Sequence, residues 1–84
     1  MAESKLGNVT HYYDRIGVAV IELLGNLNVG DRIKFVRGGE DLFEQNVTSI
    51  QMEHESVQKA GKGDDVGLKV DQEVKDGAEV FKVD

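Results

Sequence analysis

Residues 16–24, IGVAVIELL, decide the fold class of this chain. Side chains of a β-strand alternate between two faces, so the even-numbered residues of this stretch share one face and the odd-numbered residues share the other. Both faces are apolar except at Glu22. A strand with two apolar faces is expected to be covered on both sides, which predicts the wall of a small closed barrel.

Short apolar runs separated by turn residues lie on both sides of this stretch. Asp14-Arg15 precedes it, and Gly38-Gly39 further on is typical of a hairpin turn, because paired glycines tolerate positive φ. No window sustains the apolar spacing of an amphipathic helix. We therefore expect an all-β chain that folds as one closed, six-stranded antiparallel β-barrel. The predicted strands cover residues 6–13, 16–24, 31–37, 42–55, 65–70 and 78–83.

The longest predicted strand changes the parity of its apolar residues halfway along. The odd-numbered ones are Phe43 and Val47, and the even-numbered ones are Ile50 and Met52. One extra residue near Thr48-Ser49 would return all four to one face, because a β-bulge adds a residue to one strand of a pair. The sequence therefore predicts a bulge there, which bends the strand round the barrel.

Length and composition limit the chain to one small domain. It has 84 residues, with no cysteine and no proline. We predict a flexible N-terminus over residues 1–5 and a single β-barrel domain over residues 6–84. No apolar run approaches the roughly 20 residues that span a bilayer, and the N-terminus has no signal-peptide pattern. The expected location is the cytoplasm, without membrane contact.

The charge balance bears on the choice of partner. Ten basic and sixteen acidic residues give a net charge of −6. Affinity for nucleic acid rests largely on basic side chains that neutralise phosphates, so this balance argues against a nucleic-acid partner. A neutral or basic partner is expected instead.

Three candidate chemical motifs are better explained as turns or surface strands. Gly61-Lys62-Gly63-Asp64 lacks the spacing of a phosphate-binding loop and the Ser or Thr that follows its lysine. In Glu53-His54-Glu55, strand alternation points the histidine away from the two carboxylates, so the three do not converge on a metal ion. No serine stands in a nucleophile motif. We therefore expect no nucleotide, no metal, no cofactor and no enzymatic activity.

Several short motifs follow one another along the chain. They are Gly7-Asn8-Val9, residues 27–33 (LNVGDRI), 48–54 (TSIQMEH), 60–68 (AGKGDDVGL) and 75–80 (KDGAEV). Their order resembles the second domain of translational GTPases such as elongation factor Tu. The resemblance covers residues 6–83 and implies the six-stranded antiparallel β-barrel of that domain.

In elongation factor Tu this barrel helps to hold the aminoacylated 3′-adenosine of tRNA. The resemblance places the corresponding contacts at Gln51, Glu53, His54 and Asp65, which are our candidate binding residues. The family has Glu, an aromatic residue, Arg and Asn at these positions, so this chain lacks the stacking ring and the permanent cation. Weak binding of RNA or a tRNA acceptor end around residues 51–65 is therefore an alternative hypothesis.

Similar small barrels form the C-terminus of collagenase-like U32 peptidases and occur as free-standing translation-factor-like proteins of about this length. The chain looks most like the free-standing type. The leading hypothesis is a non-enzymatic binding module that contacts a protein or ribonucleoprotein partner through one barrel end and residues 53–65. An accessory barrel of a peptidase system is a further alternative.

Overall fold

The computed structural model describes residues 3–53 and 55–83, and none of these residues is helical. The prediction of an all-β chain is confirmed. The strands are β1 (Glu3–Tyr13), β2 (Val18–Leu23), β3 (Leu27–Asn28), β4 (Arg32–Arg37), β5 (Glu40–Asn46), β6 (Ile50–Met52), β7 (Glu55–Val57), β8 (Lys59–Ala60), β9 (Asp65–Lys69) and β10 (Glu79–Val83).

The strands form two antiparallel sheets. Eight of them pair in the order β5-β4-β10-β1-β2-β9-β6-β7, and β3 pairs with β8 in a separate two-stranded sheet. β1 begins at Glu3, so residues 3–5, which the sequence predicts to be flexible, pair with the end of β10.

The predicted closed barrel of six strands is wrong. Within residues 3–53 and 55–83, the end strands β5 and β7 do not pair with each other, so the eight-stranded sheet is open. The sheet still curls round one core, because only residues 47–49 separate β5 at one end from β6 near the other. The step from Asn46 to Ile50 reaches at most about 14 Å. The two ends of the sheet therefore lie close together.

The Gln45 side chain crosses the gap between the sheet ends. β6 pairs with only two residues of β9, Gly67 and Leu68, so in the described chain the end of β9 has no strand on that side. There the buried Gln45 amide donates to the carbonyl oxygen of Lys69 at 2.8 Å and accepts from the N–H of Asp71 at 2.9 Å. One side chain thus supplies the hydrogen bonds that a further strand residue would have made.

The predicted bulge at Thr48-Ser49 is wrong, because the strand over residues 42–55 is interrupted there. β5 ends just before Val47, whose N–H donates to Asp31 O and whose C=O accepts from Gly30 N, both at 2.8 Å. The parity change therefore marks the passage from β5, at one end of the sheet, to β6, next to the other end. Register shifts occur instead within β1 and at the pairing of β4 with β5.

One apolar core fills the curled sheet. Phe35 is among its fully buried side chains and stacks on Phe43, with ring centroids 4.8 Å apart. The buried members of the core are Leu6, Val9, Ala19, Ile21, Leu23, Leu27, Ile33, Phe35, Val47, Ile50, Val66, Leu68, Val70, Val74, Ala78 and Val80.

Only one face of residues 16–24 is buried. The odd-numbered Ala19, Ile21 and Leu23 point into the core, whereas Ile16 is 61% exposed and Leu24 is 43% exposed. The expectation of two covered faces is therefore wrong. The physical reason is that an antiparallel sheet packs on its core with one face and can leave the other to solvent.

Candidate functional site

Gln51 and Asp65, two of the predicted binding residues, lie on the same outward face of adjacent strands. Gln51 of β6 pairs with Gly67 of β9, and Asp65 is two residues earlier on β9. Residues two apart on a strand share a face, so both side chains point outward together. Both are exposed, and neither side chain has a hydrogen bond or ion pair with the described part of the chain.

Glu53, the third predicted residue, occupies the tight turn of the β6–β7 hairpin, in which Met52 pairs with Glu55. Its φ is 50°, and it is the one non-glycine residue with positive φ among those described. A two-residue hairpin turn requires such a conformation, which costs an ordinary L-residue about 1 kcal/mol. His54, the fourth predicted residue, lies outside the described residues.

Substitution of Glu53 by Asn is expected to raise the free energy of unfolding by about 0.5 kcal/mol, because asparagine tolerates the left-handed region better than glutamate. Urea unfolding followed by circular dichroism measures the change. The control is Glu55→Asn in β7, where no left-handed conformation is required. A Glu53→Asn midpoint no higher than that of the native chain would contradict the strain argument.

The face that carries Gln51 and Asp65 is acidic. Asp65 pairs directly with Glu22 of β2, and both side chains are exposed. Like charges opposite each other on a sheet repel, and the same pair repels phosphate groups. This arrangement does not favour RNA there, and the binding role of the four residues stays a prediction.

A cleft of about 510 Å³ lies beside this region, on the two-stranded sheet. Leu27 pairs with Ala60 and Asn28 pairs with Lys59. Leu27 is fully buried beneath the sheet, whereas Asn28 and Lys59 are exposed on its outer side. We call this the β3–β8 cleft. Its lining residues are Asn26, Asn28, Lys59, Ala60 and Gly61.

Two turns of identical construction end the two strands of the β3–β8 cleft. In residues 28–31, Asp31 N donates to Asn28 O at 3.1 Å and Asn28 N donates to Asp31 Oδ2 at 2.8 Å. In residues 61–64, Asp64 N donates to Gly61 O at 3.0 Å and Gly61 N donates to Asp64 Oδ2 at 2.9 Å.

Each of these turns has a glycine at its third position, Gly30 with φ 98° and Gly63 with φ 90°. A type II turn requires positive φ there, which favours glycine. The pattern x-x-Gly-Asp, present as NVGD and GKGD, therefore encodes two turns that the Asp side chain locks. Together they hold both strands of the cleft in place.

The tip of the β1–β2 hairpin carries two exposed large hydrophobic side chains. Ile16 and Tyr13, 49% exposed, lie there, and the Tyr13 ring is 4.3 Å from that of His11 between centroids. Ile16 and Tyr13 do not form a broad apolar patch. Exposed apolar residues of this kind are common on soluble proteins.

A metal centre and a membrane helix are not found in residues 3–53 and 55–83. No group of three or more His, Asp or Glu side chains in that part could hold a metal ion. No helix there is long and apolar enough to cross a bilayer.

The sequence prediction placed a pocket around residues 51–65, and three of the five residues that line the β3–β8 cleft, Lys59, Ala60 and Gly61, fall in that range. Of the named candidates that the structure describes, Gln51, Glu53 and Asp65 do not line the cleft. Asn26 and Asn28 come from the segment at β3. A strand of two residues is too short to show the alternation of apolar and polar side chains by which strands are recognised. The repeated x-x-Gly-Asp pattern was the signal in the sequence that could have identified β3 and β8. Two turns of the same type indicate that the short segments before them occupy equivalent places in the fold.

The chain is similar to part of a protease and to part of a collagenase. No family model matches the chain. It is 35% identical to an uncharacterized protease of Methanocaldococcus jannaschii over 77 residues, which are 92% of this chain and 19% of the protease. It is 30% identical to a collagenase of Porphyromonas gingivalis over 80 residues, 94% of this chain and 22% of the collagenase. The chain spans about a fifth of the length of these relatives.

Two solved structures share the fold. The C-terminal domain of a Geobacillus thermoleovorans protein assigned as a U32 peptidase has a TM-score of 0.88 at 20% identity, covering 96% of this chain and 93% of that domain. Its selenomethionine variant has a TM-score of 0.85 at 20% identity, covering 92% of this chain and 96% of that one. These matches support the predicted resemblance to U32 peptidase C-terminal domains. They do not support the predicted resemblance to elongation factor Tu.

Proposed function

We propose that this chain is an accessory β-domain of a U32-type peptidase system, and that it binds rather than cleaves. The observation that carries the proposal is that nearly the whole chain matches about a fifth of a protease and of a collagenase. Its fold also matches a C-terminal domain from a protein assigned to that peptidase type. An accessory domain beside a larger catalytic part accounts for both likenesses.

The non-enzymatic part of the proposal rests on the sequence. The chain has no cysteine, and no serine stands in a motif that would pair it with a base. The proposed partner is the catalytic part of such a peptidase, joined to this domain or separate from it. A net charge of −6 supports a protein partner over a ribonucleoprotein.

A domain replacement tests the accessory role. Deleting the matched segment of the Porphyromonas gingivalis collagenase is expected to lower the rate of collagen degradation at least about tenfold, which corresponds to about 1.4 kcal/mol of activation free energy. Inserting this chain in its place is expected to restore most of the lost rate. The same insertion carrying Gly7→Ala, which is expected to destabilise the sheet, controls for a passive spacer. Collagen degradation is measured by release of soluble peptide.

Three results would count against the proposal. An inserted domain that resists limited proteolysis but restores no activity would contradict the accessory role. So would a deletion that leaves full activity. Cleavage of collagen or casein by the isolated chain would overturn the non-enzymatic part alone.

A further inference from the structure

We infer that the β3–β8 cleft binds an extended peptide that carries a carboxylate. The inference goes beyond the accessory role and does not depend on it. Binding is measured on the isolated chain and the accessory role on the collagenase, so either one can fail without the other. A volume of about 510 Å³ is in the range of small-ligand sites. Four of the five lining residues bear polar side chains or are glycine, so the lining suits a polar chain rather than an apolar one.

The spacing of Asn26 and Asn28 matches an extended peptide. Asn28 lies in β3 and Asn26 directly precedes it, and both are exposed whereas the intervening Leu27 is fully buried. Alternate residues of a strand are about 6.7 Å apart, and an extended peptide repeats its amide groups along one edge at the same distance. Two carboxamides at this spacing therefore meet successive amide groups of a bound peptide.

These side chains are available for a ligand. In residues 3–53 and 55–83, the side chains of Asn26, Asn28 and Lys59 make no hydrogen bond or ion pair. A carboxamide both donates and accepts, as a peptide group does, and an ammonium group only donates. The two asparagines thus complement main-chain N–H and C=O groups, and Lys59 complements an anion.

Lys59 sets the requirement for a carboxylate. It pairs directly with Asn28, so the residue that bears the ammonium group lies at one end of the asparagine row. The nearby carboxylates are already engaged: Asp31 Oδ2 accepts from Asn28 N and lies 3.2 Å from Lys82 Nζ, and Asp64 Oδ2 accepts from Gly61 N. Lys59 is therefore left to pair with a ligand anion through a charge-assisted hydrogen bond.

Gly61 keeps the cleft open on the β8 side. A Cβ at this position would lie 3.3 Å from Asn26 Oδ1, tighter than ordinary contact. The two Asp-locked turns hold both strands, so the cleft is formed before a ligand arrives. Preorganisation of this kind lowers the entropic cost of binding.

Titration of the isolated chain with short peptides tests the inference. The probes are N-acetyl-tetra-alanine with a free C-terminus, the same peptide amidated, and an amidated peptide with one internal glutamate. We expect both carboxylate-bearing probes to shift the amide resonances of Asn26, Asn28, Lys59 and Gly61, with a Kd of about 1 mM. Binding by the free C-terminus alone assigns the site to a terminal carboxylate, and binding by both assigns it to carboxylates of either source.

Matched variants separate a local contact from the net charge. Lys59→Gln is expected to weaken binding about tenfold, the value of one charge-assisted hydrogen bond. Lys62→Gln removes the same charge from a residue that does not line the cleft, and should change Kd less than about twofold. Asn26→Ala with Asn28→Ala should weaken binding about tenfold.

Several outcomes would overturn the inference. Equal losses in Lys59→Gln and Lys62→Gln would show a diffuse charge effect. Equal binding of the neutral amidated peptide would remove the carboxylate requirement. No shift at the cleft amides with any probe at about 10 mM, where a Kd of 1 mM is nearly saturated, would exclude the site.

Discussion

Substitution of Gly7 by Ala is expected to lower the free energy of unfolding by about 3 kcal/mol, the upper part of the range for overpacking. A Cβ at Gly7 would lie 2.3 Å from Glu22 O and 3.0 Å from Ile21 Cγ2. Neither strand can move away easily, because Gly7 pairs with Leu23 of β2 on one side and Val80 of β10 on the other. The midpoint of thermal unfolding should fall by about 15 °C.

Gly25→Ala is the matched control for this prediction. Nothing lies within 4 Å of a Cβ at Gly25, and its φ is not in the left-handed region. Its stability should stay within about 0.5 kcal/mol of the native chain. The two variants make the same chemical change, so equal unfolding midpoints would show that the contact with Glu22 O relaxes without cost.

Substitution of Gln45 by Ala is the second large effect, with an expected loss of about 3 kcal/mol. The change removes two hydrogen bonds of 2.8 and 2.9 Å and leaves the carbonyl of Lys69 and the N–H of Asp71 without their partner. Leaving a buried polar group unsatisfied costs about 1–3 kcal/mol. Because Gln45 is only 5% exposed, water replaces it poorly.

Two measurements check the role of Gln45. Urea unfolding reports the loss of stability, and hydrogen exchange at the Asp71 amide reports the loss of the specific bond. Gln51→Ala is the control, because Gln51 is an exposed strand glutamine whose side chain has no partner in the described chain. Unchanged exchange at Asp71 in Gln45→Ala would show that this hydrogen bond does not close the gap in the sheet.

The long strands were predictable because their signal is local. Val66 and Leu68 of β9 alternate with outward residues, and the predicted strand of residues 65–70 differs from the observed one by a single residue. The turn at Gly38-Gly39 followed from composition, and both residues have positive φ. Alternation and turn chemistry depend on neighbours in the chain, so they can be read without the fold.

The short strands and the candidate site were not predictable in the same way. β3 and β8 have two residues each, too few to show a period. They exist because they pair with each other, Leu27 with Ala60 across 33 positions of sequence and Asn28 with Lys59 across 31. The β3–β8 cleft exists only once that pairing is made. The same limit explains why residues 42–55 were predicted as one strand. Val47 still bonds to Asp31 O next to β4, and the chain then passes to β6, which pairs with β9. No local pattern encodes this change of partner.

The all-β class, the main strands and the turn residues follow from the amino-acid sequence alone, since side-chain alternation and glycine conformation act over a few neighbouring positions. The open eight-stranded sheet and the bridge that Gln45 makes between its ends are properties of the folded chain. Closure of a sheet depends on the register between strands far apart in sequence, which local patterns do not encode. A single side chain can supply the hydrogen bonds for backbone N–H and C=O groups that have no partner on a neighbouring strand.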